Sequence, residues 1–285
     1  MMFSADLVRA IELFQFPFMQ RALLGGVLTG LMGGLMGSIT ILRELSFFSE
    51  ALGEAALLGV SLGLLFGLSS SLVLLPFAVV FALIFAYLLE HTKLWTDALL
   101  SILCSSCLAL SVIILSLVGQ YKGSIDSLLF GDILAVQTGD LISSGILLVV
   151  CVAFIGLTLR TQMMLTLHEP MAIARGVSVS AHRRAFIVLL ALVVGASIKA
   201  IGVLLVSAFI VIPACAARLL SDNFTVHVVL STLLGALSAV LGIGLSALFN
   251  LPSGPSIVVA QLGVFLGAGV FRAGGRPSPQ IGGMR

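Results

Sequence analysis

Ala55 to Leu89 is a run of 35 residues without an acidic or basic side chain. A helix crosses the hydrocarbon layer of a membrane in about 20 apolar residues, so this run is long enough to cross twice. Ser69-Ser70-Ser71 and Pro76 interrupt it and read as a tight turn between two crossings. Comparable runs recur at Ala22–Leu42, Ala98–Val118, Leu141–Leu159, Ala185–Ala217, Val228–Phe249 and Ser256–Phe271. Ala185–Ala217 is too long for one upright crossing, and Lys199, Gly202 and Pro213 break it, which suggests one span followed by a broken or returning helix. The predicted fold is all-α: a polytopic integral membrane protein with eight or nine transmembrane helices, the number turning on residues 185–217. With nine, the N-terminus lies outside.

Composition agrees and narrows the function. Only 9% of the 285 residues are charged and the mean hydropathy is +1.25, whereas soluble domains carry about a quarter charged residues. A net charge of +2, scattered along the chain, excludes a nucleic-acid partner. The lysines are Lys93, Lys122 and Lys199, and none stands in the Gly-Lys-Ser/Thr context of a phosphate-binding loop. The chain is therefore not expected to be an enzyme, nor to carry a cofactor of its own. Residues 1–20 mix Asp6, Arg9 and Glu12 with apolar side chains and read as an amphipathic interfacial segment. Residues 21–272 form the membrane domain, and the Gly- and Pro-rich residues 273–285 read as a disordered cytoplasmic tail.

Acids are rare, so Glu50 and Glu54 stand out at the start of the second apolar stretch. Four residues apart on a helix, they share one face and repel each other. A proton or a bound cation relieves that repulsion. One reading is a cation site on a transport path; the other is a wet interfacial turn at the helix start. Cys104-Ser105-Ser106-Cys107 lies within a span, where buried packing outweighs a soft-metal site because no second pair or His is near in sequence. The connection 160–184 carries Arg160, Arg175, Arg183 and Arg184, which marks it as cytoplasmic. Within it Pro170 and Gly176 bracket a short helix. Lys199 either snorkels or pairs with an acid, and with Asp132 it is a candidate support of the path.

Several stretches, in order, resemble the membrane permeases of bacterial ABC uptake systems for zinc, manganese or iron. They are Leu42-Arg43-Glu44-Leu45-Ser46-Phe47-Phe48-Ser49-Glu50-Ala51-Leu52-Gly53-Glu54-Ala55, Leu129-Phe130-Gly131-Asp132-Ile133-Leu134, Ala174-Arg175-Gly176-Val177, Lys199 to Val206, Ile212 to Leu220, and Leu251-Pro252-Ser253-Gly254. The resemblance runs from about Phe18 to Phe271. It implies a multi-pass subunit of the bacterial cytoplasmic membrane, working with a second permease copy or paralogue, cytoplasmic ATPases that bind the ATP, and an extracytoplasmic metal-binding protein. It also implies that Glu169, Pro170, Ala174, Arg175 and Gly176 belong to a coupling helix seated on an ATPase. The pattern common in that family after the Phe-Phe pair is Asp-Ala-x-x-His. Here those positions are Glu50 and Glu54, so an imidazole is replaced by a carboxylate, and the expected cargo shifts toward harder ions such as Mn²⁺ or Fe²⁺. The rival reading is a proton-coupled secondary transporter that uses the same two glutamates.

Overall fold

The computed structural model describes residues 16–68, 70–118, 137–167 and 169–275. These form ten helices: α1 (Pro17–Leu42), α2 (Phe48–Leu65), α3 (Ser70–His91), α4 (Thr96–Val118), α5 (Thr138–Leu167), α6 (Glu169–Ala174), α7 (Val179–Ile201), α8 (Val203–Leu220), α9 (Phe224–Phe249) and α10 (Ser253–Gly275). All but α6 are long and apolar enough to span a membrane, giving nine candidate spans among the described residues. The Leu128–Leu134 segment, with Asp132, lies outside the described residues, as do residues 1–15 and the end of the tail.

The break that decides between eight and nine spans is Gly202. It takes φ of 82°, a conformation that a Cβ makes costly, and it ends α7 and begins α8. Pro213, by contrast, sits inside α8 without ending it. The helices extend beyond the charge-free runs, as the first, fifth and last illustrate. The first begins at Pro17, because proline at the first helical position needs no N–H partner. The fifth continues past Leu159 to Leu167, because Thr158, Gln162 and Thr166 form a polar ladder along it that tolerates the membrane edge. The last runs over Ser253–Gly275, longer than Ser256–Phe271.

At the centre is α1, packed on α9 and α8. A Cβ added to Gly30 would lie 2.5 Å from the Gly235 carbonyl oxygen, and one on Gly34 would overlap the Ser231 carbonyl. One turn further, His227 Nε2 donates to the Ser38 carbonyl at 3.2 Å, and Ser231 Oγ donates to the Gly34 carbonyl at 2.6 Å. The pairs 30/235, 34/231 and 38/227 step by four residues in opposite senses, so the two helices run antiparallel with glycine letting the backbones meet. Dispersion at that close approach replaces the hydrophobic driving force that lipid cannot supply.

Helix α2 is held by Phe48, fully buried, whose ring lies 5.4 Å from that of Phe85 and 6.1 Å from that of Phe81 on α3. Its other flanks meet α4 and the start of α8. Gly53 faces Val203, where a Cβ would strike the valine side chain. At one end of the bundle, Leu42, Arg43, Leu89, Thr96, Thr166, Val179 and Arg183 surround a common cavity of about 310 Å³. The ends of α1, α3 and α5 and the starts of α4 and α7 therefore share one face with α6.

Candidate cation site and its surroundings

Phe47 precedes α2 and makes no side-chain cap hydrogen bond. Glu50 falls in the first turn, where the helix dipole favours a carboxylate. Buried Phe48 fixes the rotation of the helix, and Glu50 and Glu54 then point away from the aromatic cluster and toward α4. Both line a pocket of about 380 Å³ with Phe47, Ala51, Asp97, Leu100, Ser101, Cys104, Ser105 and Leu108. Glu50 also borders a second pocket of about 300 Å³ with Ser46 and Phe47 of the turn before α2 and with Ser207, Ala208, Val211 and Ile212 of the facing α8. It thus stands where two openings meet.

Glu54 is half-buried and accepts a hydrogen bond from Cys104 Sγ at 2.6 Å. The α4 side of the pocket was not anticipated. Its signal was present, since Asp97, Ser101, Cys104 and Ser105 recur at spacings of four, three and one and make a polar stripe on an apolar helix. Packing therefore holds for Cys107, which joins the core cluster, while Cys104 also faces a carboxylate. Among the described residues of one copy, no group of three His, Cys, Asp or Glu side chains is arranged to hold a metal ion.

The bracketed helix in the basic connection is α6. Gly176 takes φ of 75°, its N–H donates to the Ile173 carbonyl at 2.9 Å, and Val177 N–H donates to the Ala172 carbonyl at 3.1 Å. This paired closure satisfies the last carbonyls and stops the helix after six residues. Ala172 is buried against the bundle, whereas Pro170, Met171, Ile173, Ala174 and Arg175 are exposed. Glu169 opens the helix. The structure does not bring α6 together with the glutamates directly. Arg43 lies in the turn that leads into α2, two residues before Leu45. Its guanidinium donates to Gln162 and, at 3.2 Å, to Thr166 Oγ1 on α5, and lies 4.9 Å from the Phe186 ring of α7. Both helices flank α6. Lys199 falls in the last turn of α7, and its side chain lies outside the described residues.

A bundle with nine candidate spans among the described residues, and two carboxylates lining a pocket from an inner helix, has the build of a multi-pass membrane protein. The sequence profile of the ABC 3 transport family matches residues 15–272, and the chain belongs to that family. It is 30% identical over 261 residues to the manganese transport system membrane protein MntC of Listeria monocytogenes, covering 91% of this chain and 92% of that protein. Identity to the high-affinity zinc uptake system membrane protein ZnuB of Haemophilus influenzae is 28%, over 88% of this chain and 96% of that one. The solved structure of PsaBC from Streptococcus pneumoniae in complex with Fab superposes with a TM-score of 0.78 at 30% identity, covering 92% of this chain and 95% of that chain.

Proposed function

We propose that this protein is the membrane-spanning subunit of an ATP-driven importer for divalent metal cations, with Glu50 and Glu54 on the cation path. The observation that carries the reading is the placement of both carboxylates on one face of α2, lining one pocket inside a family of transport proteins. Relatives named for manganese transport and for zinc uptake support a divalent metal as cargo. The chain works with a second permease copy or paralogue, whose own α2 doubles the carboxylates. An extracytoplasmic binding protein delivers the ion, and α6 seats on a cytoplasmic ATPase. Paired carboxylates suit Mn²⁺ or Fe²⁺, while the general affinity order still favours zinc, so the delivering protein shares in selection.

Charge asymmetry supports the orientation. Arg43, Lys93, Arg160, Arg175, Arg183, Arg184, Arg218 and Arg272 cluster toward the α6 face, and among the described residues only Arg21 and Lys199 lie toward the other. The α6 face is then cytoplasmic, and the start of α1 is outside.

The test is uptake of radiolabelled manganese by vesicles that hold the permease with its ATPase and are supplied with the binding protein. The Glu50→Gln, Glu54→Gln double variant should assemble and lose transport. Parental rates in that variant would remove the carboxylates from the path. Uptake that persists without ATP and follows an imposed proton gradient would instead select the proton-coupled reading.

A further inference from the structure

The hydrogen bond between Cys104 and Glu54 joins a soft donor to one of the two carboxylates on α2. We propose that Cys104 is a cation ligand on the path, acting with Glu54 to admit borderline and soft divalent ions, zinc and cadmium, alongside manganese. The inference rests on the reading of Glu50 and Glu54 as the path, and it goes further by changing the cargo that two carboxylates alone predict.

Three observations carry it. Cys104 Sγ sits 2.6 Å from Glu54 Oε2, so one ion can bridge both atoms with a small side-chain movement. Cys104, Glu50 and Glu54 line the same pocket of about 380 Å³, which gives an ion room to arrive hydrated. The neighbours Ser101 and Ser105 on the same stripe of α4 add hydroxyl oxygens facing that space. Two protein donors do not close a tetrahedral shell, and no third His, Cys, Asp or Glu is arranged to complete one within a described copy. Water fills the remaining positions. That incompleteness suits a transport site, where an ion must be held well enough to enter and weakly enough to leave. A closed four-ligand shell is instead the mark of a structural zinc.

The chemistry balances simply. The metal forms a bond to Cys104 sulfur as the S–H bond breaks, and the proton passes to pocket water, because Glu54 must stay deprotonated to share the ion. When the ion leaves, the proton returns. No redox step is involved. A thiolate shifts preference toward zinc and cadmium and contributes little for manganese, which prefers oxygen.

The experiment measures uptake of manganese, zinc and cadmium by the assembled transporter carrying Cys104→Ser or Cys104→Ala. Changing even a residue behind a metal ligand costs 10- to 100-fold in affinity, so losing a ligand should cost zinc and cadmium uptake at least about tenfold at limiting metal. Manganese uptake should fall less than zinc and cadmium uptake in both variants, so that the zinc-to-manganese ratio drops. Cadmium added to the parent complex in detergent should produce an ultraviolet thiolate-to-metal charge-transfer band that both variants lack. Serine keeps the hydrogen bond to Glu54 but not the soft ligand, so it separates two roles. If serine restores zinc uptake and alanine does not, Cys104 orients Glu54 and the ligand proposal is overturned. An unchanged zinc-to-manganese ratio in both variants overturns it as well. Loss of all transport in the double glutamine variant, with unchanged ratios in the cysteine variants, retains the path and rejects only the thiol; parental transport in the double glutamine variant rejects the path itself.

Discussion

Glu54 is the residue at which chemistry and packing meet. Its carboxylate is held by Cys104 on one side and shares α2 with Glu50 on the other, so its substitution changes charge and donor type without disturbing the aromatic cluster around Phe48. Glu54→His places an imidazole beside a thiol and a carboxylate, a set that suits zinc. The expected outcome is a rise in zinc uptake relative to manganese of about tenfold, read in competition between the two ions. Arg43 is the second residue with consequences beyond its own position. Gln162 is fully buried and accepts from the Arg43 guanidinium, so Arg43→Ala removes a charge-assisted bond and strands a buried amide oxygen. That should destabilise the protein by about 1–3 kcal/mol, visible as a lower melting temperature in detergent. Arg43→Lys should recover only part of the loss, since one ammonium cannot reach Gln162, Thr166 and the Phe186 face together as a planar fork does.

Helix pairs carry the next set of consequences. The α1–α9 contact depends on absent side chains: Gly34 meets backbone of Ser231 and Thr232. Backbone cannot yield as a flexible side chain can, so Gly34→Leu should push the two helices apart and break the Ser231 hydrogen bond. The measurable result is loss of the detergent-stable assembly, and a variant that assembles and transports normally would show that the close approach is dispensable. Helix α6 behaves differently, because nothing crowds Gly176. Its requirement is conformational, a φ of 75° that closes the helix end. Gly176→Val should cost about 1–2 kcal/mol locally and fray the last turn. If α6 seats on the ATPase, that variant keeps its place in the membrane while ATP hydrolysis and uptake separate; normal stimulation and uptake together would exclude α6 as the coupling element.

Across the whole molecule, burial is graded from the inner helices outward. In α1 72% of the span is buried, in α2 61%, and in α5 only 11%. The glutamates thus ride on an inner helix, and the outer helices leave apolar side chains for lipid or for a second copy. Nine crossings with the α6 face inside predict that a cysteine introduced at Gly67, in the α2–α3 turn, reacts with an impermeant thiol reagent in intact cells. One introduced at Lys93 should react only after the membrane is opened. The opposite pattern would invert the assigned orientation and with it the cytoplasmic role of α6.

Much of this was legible in the residues. Crossing a membrane depends on hydropathy summed along a single segment, so the charge-free runs located the spans, while the choice of Gly202 among the three interruptions of residues 185–217, and with it nine spans over eight, came from the structure. The ends of α6 were legible for the same local reason: Pro170 and Gly176 act on the backbone beside them. What tertiary structure alone decided was which side chains face each other. The stripe of Asp97, Ser101, Cys104 and Ser105 on α4 does not say which helix it meets, so Cys104 and Cys107 read alike as buried packing until α2, locked by Phe48 against Phe81 and Phe85, met α4 in one rotation. That rotation turns Cys104 toward Glu54 across 50 residues of sequence, a separation over which local patterns carry no information about contact.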